Sequence, residues 1–351
     1  MAAQTNAPLP DGMALGGYSL VRKISSGGFS IVYLAEDAAG QRFAIKEYLP
    51  STLVKREPGE LVPAISTENL ATYRNGLKCF FEEGRALARI LHPNVVRVVN
   101  FFRANETVYM VMAYEEGRSL QELILRNRNR PDKVVISERH IRTVFSLVMN
   151  GLREVHANRM LHLDLKPANI YLRLDGTPTL LDFGAARQTL TADAPKLFPM
   201  YTPGFAAPEL YKKGQQLGPW TDVYSIGASM YACMAGAPPQ MADQRISDDK
   251  MGASLEQLAG RYSPALLALT GDCLKLDPME RSQSVFAVQK RLRETERRPA
   301  PPSAPPAKPI ERSRPSVKGL LGSVTGLLSR RAGDDPITRR RAAAPQVGDS
   351  N

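Results

Sequence analysis

The sequence has few cysteines, no long apolar run and no recognisable secretory leader. Its three cysteines, Cys79, Cys233 and Cys273, lie far apart without C-x-x-C spacing, and their odd number leaves one unpaired in any disulfide scheme. We therefore expect buried thiols in a reducing cytosol. No stretch reaches the roughly 18 to 20 consecutive apolar residues that cross a bilayer. Residues 1–17 lack a basic start followed by an apolar stretch, so we expect a soluble, cytoplasmic protein.

Positive charge is distributed unevenly along the 351 residues. The formal net charge is +11, and residues 297–351 hold eleven Lys or Arg against four Asp or Glu. The 43% of hydrophobic residues is enough to bury one large or two modest cores. The sequence therefore predicts a globular body followed by a basic tail.

Residues 160–184 combine polar side chains in an arrangement suited to one kind of chemistry. Asp164 and Asp182 lie either side of Lys166 and Asn169, with short apolar runs at both ends. Phosphoryl transfer needs a carboxylate to orient and deprotonate a hydroxyl, a second carboxylate and an amide oxygen to bind Mg²⁺, and a cation beside the phosphoryl group. All of these groups are present in this stretch.

The spacing Asp-x-Lys-Pro-x-Asn followed by Asp-Phe-Gly resembles the catalytic and metal loops of the protein-kinase family. An isolated Asp-Phe-Gly is a common turn, since Asp and Gly favour turns, so the interpretation depends on both motifs together. The resemblance implies that Asp164 is the base or orienting group and that Lys166 stabilises the γ-phosphate. It also implies that Asn169 and Asp182 bind Mg²⁺, with Mn²⁺ as an alternative.

A glycine-bearing hairpin precedes this region near the start of the chain. Residues 18–24 and 31–35 predict two strands, and the turn between them lets backbone N–H groups approach phosphate oxygens without a Cβ in the way. It resembles the kinase nucleotide loop, keeping Gly27 of the three family glycines, with Ser25 and Ser30 at the other two places. A plain β-turn is the alternative interpretation.

The resemblance implies a dispersed set of nucleotide-contacting residues. These are Ile24, Ser25, Gly27, Gly28, Ser30, Val32, Ala44, Lys46, Glu83, Met112, Tyr114 and Glu115. In this set Met112 is the gatekeeper, and the backbone of residues 113–115 hydrogen-bonds the adenine edge. Tyr171 replaces the usual aliphatic residue under the adenine, where it either stacks on the base or narrows the pocket.

Lys46 ends a third predicted strand and stands where the family's strand lysine contacts the α and β phosphates. Apolar residues recur at helical spacing from Glu68 to Leu91 and predict an amphipathic helix. The resemblance pairs Lys46 with Glu83 on this helix. Glu82 is the competing assignment, and the register favours Glu83.

Residues 182–209 resemble the activation segment of the family. Thr202 begins Thr-Pro-Gly-Phe, which matches the substrate-docking end of Ser/Thr kinases, where the threonine hydroxyl bridges the base and the loop lysine. Leu163 stands where most regulated kinases carry an arginine that binds a phosphate on the segment. We therefore expect activity without phosphorylation of the segment, although Thr189, Thr191 and Thr202 are candidate sites.

Several charged residues in the second half of the sequence occur in the same order as in the motifs of the family. The resemblance implies that Asp222 braces the catalytic-loop backbone and that Arg281 pairs with Glu209. His140 and His156 have no nearby Cys or carboxylate at ligand spacing, so we interpret both as structural.

The tail differs in composition from everything before it. Residues 297–315 are rich in Pro with interspersed Arg and Ala, which favours an extended linker. Residues 317–331 place apolar side chains on one helical face with flanking cations, but three glycines weaken the helix. A disordered tail is one interpretation, and docking to an acidic partner or an anionic membrane surface is the other. Residues 339–341 make nucleic acid a minor option.

The expected fold is α+β with the two lobes of a protein kinase. We expect a disordered lead over residues 1–17, a small lobe over 18–114, a large lobe over 115–294, and the tail over 295–351. The resemblance implies a bacterial Ser/Thr protein kinase that uses MgATP, phosphorylates itself and acts in signalling.

The resemblance also defines partners and alternatives. It implies protein substrates, phosphothreonine-binding partners and a cognate phosphatase. We expect a cytoplasmic location, with attachment to the inner face of the membrane as an alternative. A pseudokinase scaffold that binds nucleotide without turnover is the first alternative function, and a small-molecule kinase of the same fold is the second.

Overall fold

The structure is a computed structural model, and it describes residues 4–129, 135–183, 202–212 and 214–294. The chain divides into two units, Met1–Pro299 and Ala300–Asn351, and every described residue belongs to the first. The predicted linker and amphipathic segment of the tail lie outside the described residues, as do Thr189 and Thr191.

Short and medium strands dominate the first third of the described chain. The strands are β1 (Ala14–Leu15), β2 (Tyr18–Gly27), β3 (Ser30–Glu36), β4 (Arg42–Tyr48), β5 (Val54–Lys55), β6 (Ala64–Ile65), β7 (Val98–Ala104), β8 (Thr107–Ala113), β9 (Gly117–Ser119), β10 (Ile170–Arg173) and β11 (Pro178–Leu180). Six of them form one antiparallel sheet in the order β1-β2-β3-β4-β8-β7. Strands β11, β10 and β9 form a second sheet, and β5 pairs with β6.

The register of the large sheet decides which side chains share a face. Val32 lies opposite Lys46, and Ala44 lies opposite Met112. Because successive side chains of a strand point to opposite faces, Lys46 and Glu47 project from different sides of β4. Lys46 therefore lies on the face that carries Val32, Ala44 and Met112.

Helix α1 (Thr67–Leu87) packs on this sheet through Tyr73, Phe80 and Leu87, which are buried. Ser66 caps it by accepting a hydrogen bond from the Asn69 backbone N–H. The helix ends earlier than the periodicity predicts, because the chain turns after Leu87 and leaves Leu91 76% exposed.

The expectation of a disordered lead is wrong for residues 4–17. Leu9 and Leu15 are buried at 2% and 4% exposure, and β1 adds an edge strand to the large sheet. Burial of these apolar side chains against the sheet core supplies the free energy that a disordered segment lacks.

The rest of the described chain is mainly helical. Its helices are α2 (Leu120–Asn127), α3 (Glu138–Ala157), α4 (Pro219–Ala235), α5 (Ala242–Ser247), α6 (Met251–Glu256), α7 (Pro264–Cys273) and α8 (Val285–Glu294). Single 3₁₀ turns occur at Pro167–Asn169, Pro208–Leu210 and Pro278–Glu280.

Helix α4 packs against α3, α7 and α8 and forms the centre of the helical part. Nearly every residue of its first four turns is buried, and it ends at Gly236, whose φ of 78° suits a residue without Cβ. Among the described residues, no helix combines the length and apolar character needed to span a bilayer.

Candidate active site

One buried carboxylate forms hydrogen bonds with the backbone between α3 and the first 3₁₀ turn. Asp222, in the first turn of α4, accepts hydrogen bonds from the N–H groups of His162 and Leu163, each at 2.9 Å. Its Oδ2 also lies 2.7 Å from Nε2 of His156, on α3. Asp222 therefore braces the loop as expected, and it supplies the partner of His156 that sequence spacing did not reveal.

The charge of Asp222 is stabilised despite its full burial. Burial by itself would raise the pKa of this carboxyl, but the hydrogen bond with His156 and the backbone N–H of His162 hold the pKa below its ordinary value. These contacts fix the backbone of Leu163 at a φ of 60°, a left-handed conformation that leucine rarely adopts. The loop is consequently held in a single strained shape.

Three polar side chains converge on Asp164 at the end of this loop. Thr202 Oγ1 donates to Asp164 Oδ1 at 2.8 Å, and Lys166 Nζ donates to Asp164 Oδ2 and to Thr202 Oγ1, both at 2.7 Å. Asn169 Nδ2 donates to the Asp164 backbone oxygen at 2.8 Å and to Oδ2 at 3.2 Å. The structure therefore places Thr202 between the carboxylate and the lysine, as the resemblance implies.

Asp182 lies on the other side of the site and pairs with Lys46. Lys46 is buried, and its Nζ lies 2.6 Å from Asp182 Oδ1, whereas the Asp182 side chain is 46% exposed. The Lys46 charge holds the pKa of Asp182 below its ordinary value. Burial would lower the pKa of Lys46, but the adjacent Asp182 carboxylate outweighs this effect and raises it, so the ammonium stays charged.

The expected ion pair between Lys46 and Glu83 is not formed among the described residues. Glu83 is buried at 9% exposure and interacts electrostatically with Lys46, whereas Glu82 is exposed, so Glu83 and not Glu82 lies near the lysine. Burial raises the pKa of Glu83 to about 8, although Lys46 opposes this effect. Glu83 is therefore mostly protonated at neutral pH, and Lys46 is bonded to the more accessible Asp182.

The Asp-Phe segment is linked to the catalytic loop by contacts that the sequence did not predict. His162 Nε2 lies 3.2 Å from the Leu181 carbonyl oxygen, and the His162 ring stands 4.5 Å from the Phe183 ring. Burial lowers the pKa of His162, so the ring is neutral and packs as an apolar group.

The strand residues of the expected nucleotide set are brought together on one face of the large sheet. Ser25 pairs with Val32, Val32 with Lys46, and Ala44 with Met112. Gly27 and Ser30 close the hairpin between β2 and β3, with Gly28 at its tip, and Ile24 precedes it.

Tyr114 and Glu115 follow β8 at the edge of this face, and Glu115 pairs with Arg173 at 3.1 Å. Tyr171 lies on β10, half-buried.

The predicted pair of Glu209 and Arg281 is confirmed. Arg281 Nη2 lies 2.7 Å from Glu209 Oε2, and both side chains are buried. Thr221 Oγ1 also donates to Glu209 Oε1 at 2.9 Å. The pair connects the end of the activation segment to the turn before α8, and the Thr221 bond connects it to the start of α4.

Sequence reasoning missed a second buried ion pair, between Glu47 and Arg56. Both side chains are completely buried behind β4. A charged residue directly after Lys46 in an otherwise apolar strand was the available signal, because Glu47 would have to be buried by the alternation of β4.

Residues 18–292 match the model of the protein kinase domain. Among solved structures, the chain is similar to the apo form of PpkA-294, with 32% identity, a TM-score of 0.69, and coverage of 81% of this chain and 99% of that one. The kinase domain of Mycobacterium tuberculosis PknI shares the fold at 22% identity and a TM-score of 0.61, with coverage of 82% and 99%.

Curated relatives are longer proteins. The serine/threonine-protein kinase Pkn3 of Myxococcus xanthus is 24% identical over 346 residues, which are 94% of this chain and 56% of that protein. A probable serine/threonine-protein kinase, a KIN1 homolog of Enterocytozoon bieneusi, is 28% identical over 231 residues, 65% of this chain and 34% of that protein. The chain thus spans between about a third and a little over half of these relatives.

Proposed function

The chain belongs to the protein kinase family, and we propose on that basis that it transfers the γ-phosphoryl group of ATP to serine or threonine hydroxyls of proteins. The observation that carries the proposal is the group of Asp164, Lys166 and Thr202, joined by hydrogen bonds of 2.7 to 2.8 Å. A carboxylate with an adjacent ammonium is suited to orient a hydroxyl and to stabilise charge on the phosphoryl oxygens.

Asp164 orients the acceptor hydroxyl and takes its proton. Oδ1 of this carboxylate is bonded to Thr202 and Oδ2 to Lys166, so its orientation is fixed before an acceptor approaches. Lys166 lies where its ammonium compensates the negative charge that develops on the transferred group.

The oxygen atoms beside Asp164 fit a magnesium ion. Asn169 uses its amide nitrogen on Asp164, which leaves its carbonyl oxygen available. Only one carboxylate oxygen of Asp182 has a hydrogen-bonding partner among the described residues. Oxygen ligands of this kind suit Mg²⁺, and Mn²⁺ is an alternative. The bound ion would neutralise charge on the phosphate oxygens, and Asp182 and Asn169 would hold it.

We propose further that the acceptor site forms without phosphorylation of the activation segment. Leu163 packs in an apolar cluster with Leu161, Ala206 and Leu210. These contacts connect the catalytic loop to the end of the activation segment by burial of apolar surface. An arginine at position 163 would instead make this connection by binding a phosphate on the segment. The proposal is supported by this packing and by the contact of Thr202 with Asp164.

Autophosphorylation, a role in bacterial signalling and a cytoplasmic location belong to the same proposal. Two of the similar proteins are from bacteria, Myxococcus xanthus and Mycobacterium tuberculosis, which supports only the bacterial setting of this proposal. Residues 317–331 are proposed to dock on an acidic partner or an anionic membrane surface, because cations flank a segment whose apolar residues recur at helical spacing in the sequence. Phosphothreonine-binding partners and a cognate phosphatase remain proposals from family membership. No contact among the described residues favours the pseudokinase alternative.

The test is incubation of the purified chain with labelled ATP, Mg²⁺ and a generic protein substrate, followed by mapping of the labelled residues. We expect labelled serine or threonine, and Asp164→Ala should lower kcat about 10²- to 10⁴-fold, the range for loss of a general base. Affinity for MgADP should be unchanged, since Asp164 is outside the expected nucleotide contacts.

The matched control is Asp175→Ala, which removes an exposed carboxylate from the turn after β10. It should leave kcat within about twofold of wild type, as expected for a surface substitution. If Asp164→Ala retains a tenth or more of wild-type transfer, or if the label appears only on small molecules, the proposed function is wrong.

A further inference from the structure

Residues 4–9, which we call the N-terminal clamp, are bound to one arginine that directly follows β5. The Ala7 N–H donates to the Arg56 carbonyl oxygen at 3.0 Å, and the Arg56 N–H donates to Asn6 Oδ1 at 2.8 Å. The Arg56 side chain returns a third bond, from Nε to the Ala7 carbonyl oxygen at 2.9 Å. The clamp is therefore fixed by backbone and side chain of the same residue.

Arg56 is itself anchored behind the strand that carries Lys46. Its Nη2 lies 2.8 Å from Glu47 Oε2, and both side chains have no exposed surface. Tyr33 and Tyr109 donate their hydroxyls to the two Glu47 oxygens at 2.7 and 2.8 Å. Burial raises the pKa of both tyrosines, so both remain protonated donors. The Glu47 charge is thus fully satisfied, which a buried carboxylate requires.

The free end of the clamp reaches the glycine hairpin. Gln4 Nε2 donates to the Gly27 carbonyl oxygen at 3.0 Å and to the Leu49 carbonyl oxygen at 2.8 Å. Its Oε1 accepts the Asn6 N–H at 3.1 Å, which fixes the orientation of the amide. One side chain therefore ties the hairpin to the chain just after β4.

The chain after β4 also donates hydrogen bonds to the two carbonyl oxygens that follow Gly27 in the hairpin. Leu49 N–H donates to the Phe29 carbonyl oxygen at 2.8 Å, and Ser51 N–H donates to the Gly28 carbonyl oxygen at 2.8 Å. Consecutive glycines would otherwise give the hairpin many conformations, and restricting them in advance lowers the entropy that a ligand must remove.

We propose that the N-terminal clamp positions the nucleotide loop relative to Lys46, with Gln4 as the contact to the hairpin and Arg56 as its anchor. Both are positioning residues, since they act through the Gly27 carbonyl and through Glu47. The ligand concerned is a nucleoside di- or triphosphate, so the inference rests on the proposed function. Loss of the clamp should weaken phosphate binding while the chemistry at Asp164 continues.

Gln4 provides the test, because its side chain can be changed without disturbing the buried ion pair. Gln4→Glu keeps the shape and the acceptor for Asn6 but removes both donors, Gln4→Ala removes the whole amide, and Gln4→Lys restores a donor of similar reach. The control is Gln41→Ala, an exposed glutamine on the turn between β3 and β4. All variants are made in the full chain.

Two quantities are measured, the amide hydrogen exchange of residues 25–30 without nucleotide and the Kd for MgADP by calorimetry. We expect Gln4→Glu and Gln4→Ala to speed this exchange and to raise Kd by about three- to tenfold, the range for one or two lost hydrogen bonds. Gln4→Lys should recover most of both losses, and Gln41→Ala should match wild type. The KM for ATP should rise with kcat unchanged, which a general loss of stability would not produce.

If amide exchange of residues 25–30 in Gln4→Glu is as slow as in wild type, the clamp does not restrain the hairpin and the proposal is wrong. If this exchange is faster but the Kd for MgADP is unchanged, the clamp does not affect nucleotide binding and the proposal is also wrong. Failure of the wild-type chain to bind MgADP would contradict the proposed function instead. The exchange comparison would then still decide whether Gln4 restrains the hairpin.

Discussion

Two groups of polar residues lie in the candidate site, and they differ in how their charges are paired. The acceptor group is Asp164, Lys166 and Thr202, and the nucleotide group is Lys46, Asp182 and Glu83. In the acceptor group each polar side chain bonds both of the others. In the nucleotide group one ammonium serves two carboxyls, and only Asp182 is bonded to it.

Burial explains the difference. Glu83 is buried at 9% exposure, so its charged form loses most of its hydration, whereas Asp182 is half-exposed and keeps part of it. Lys46 therefore pairs with Asp182, whose ionised form loses less hydration free energy. The pKa of Asp182 falls and the pKa of Glu83 rises to about 8.

The comparison indicates that the acceptor group is preorganised and that the nucleotide group can exchange partners. Backbone contacts reinforce this contrast, because Asp222 fixes the loop below Asp164 with two buried hydrogen bonds. Lys46 depends instead on the position of α1 and on the segment containing Asp182. Substitutions in the two groups should consequently have different signatures.

Lys46→Met should have the largest effect of the three substitutions that follow. It removes the only charged partner of Asp182 within hydrogen-bonding distance among the described residues, together with the cation for the phosphates. We expect kcat/KM for ATP to fall about 10²- to 10³-fold, the range for loss of one preorganised electrostatic contact.

Steady-state kinetics at saturating protein substrate would measure this change. Lys23→Met is the control, because Lys23 is exposed on β2 of the same sheet. An unchanged kcat/KM for ATP in Lys46→Met would show that another lysine performs this role and that the nucleotide group is wrongly assigned.

Thr202→Val should have a smaller effect, confined to the acceptor group. The substitution keeps the shape but removes the hydroxyl that bonds both Asp164 and Lys166. Hydrogen bonds to charged groups contribute more than neutral ones, so we expect kcat to fall about ten- to a hundredfold.

Thr202→Ser retains the hydroxyl and should stay within about threefold of wild type, as expected when the hydrogen bonds are kept. The Kd for MgADP should be the same in all three proteins. An equal loss in the serine and valine variants would mean that packing, and not the hydroxyl, orients Asp164.

Local spacing was sufficient to predict part of the acceptor group. Asp164 and Lys166, with Asn169 beside them, are close in sequence and meet at a single 3₁₀ turn. Thr202 is distant in sequence, and only the family resemblance predicted its contact with Asp164. The pair of Glu209 and Arg281 was also predictable, because family order identified both partners. Sequence patterns work well where the contact is local or where the family fixes both residues.

The sequence did not predict which carboxyl pairs with Lys46, and it did not predict contacts between distant residues outside the family motifs. The partner of Lys46 depends on the relative hydration of two carboxyls, which the sequence does not encode locally. Residues 4–17 look polar and irregular, and only their contacts with β2 and Arg56 show that Leu9 and Leu15 complete a core. Arg56 itself lies in a loop where a charged residue predicts exposure, yet Glu47 buries it.

Glu83→Gln should give the smallest effect, and it tests the comparison most directly. Folding raises the pKa of Glu83 to about 8, above its ordinary value, so the folded protein favours the protonated form. The stability gained in this way is fully present in acid and is lost as the pH rises through about 8. Glutamine is a neutral isostere of that form, so the variant should not show this loss.

Thermal unfolding at pH 5 and pH 9 measures the difference. We expect the variant and wild type to have similar Tm values at pH 5 and the variant to be more stable by about 2–6 °C at pH 9. Glu82→Gln, one residue away and exposed, should show no such dependence. If the Tm difference for Glu83→Gln is the same at both pH values, Glu83 is ionised throughout and paired with Lys46. The nucleotide group would then be as completely paired as the acceptor group, and the contrast between them would disappear.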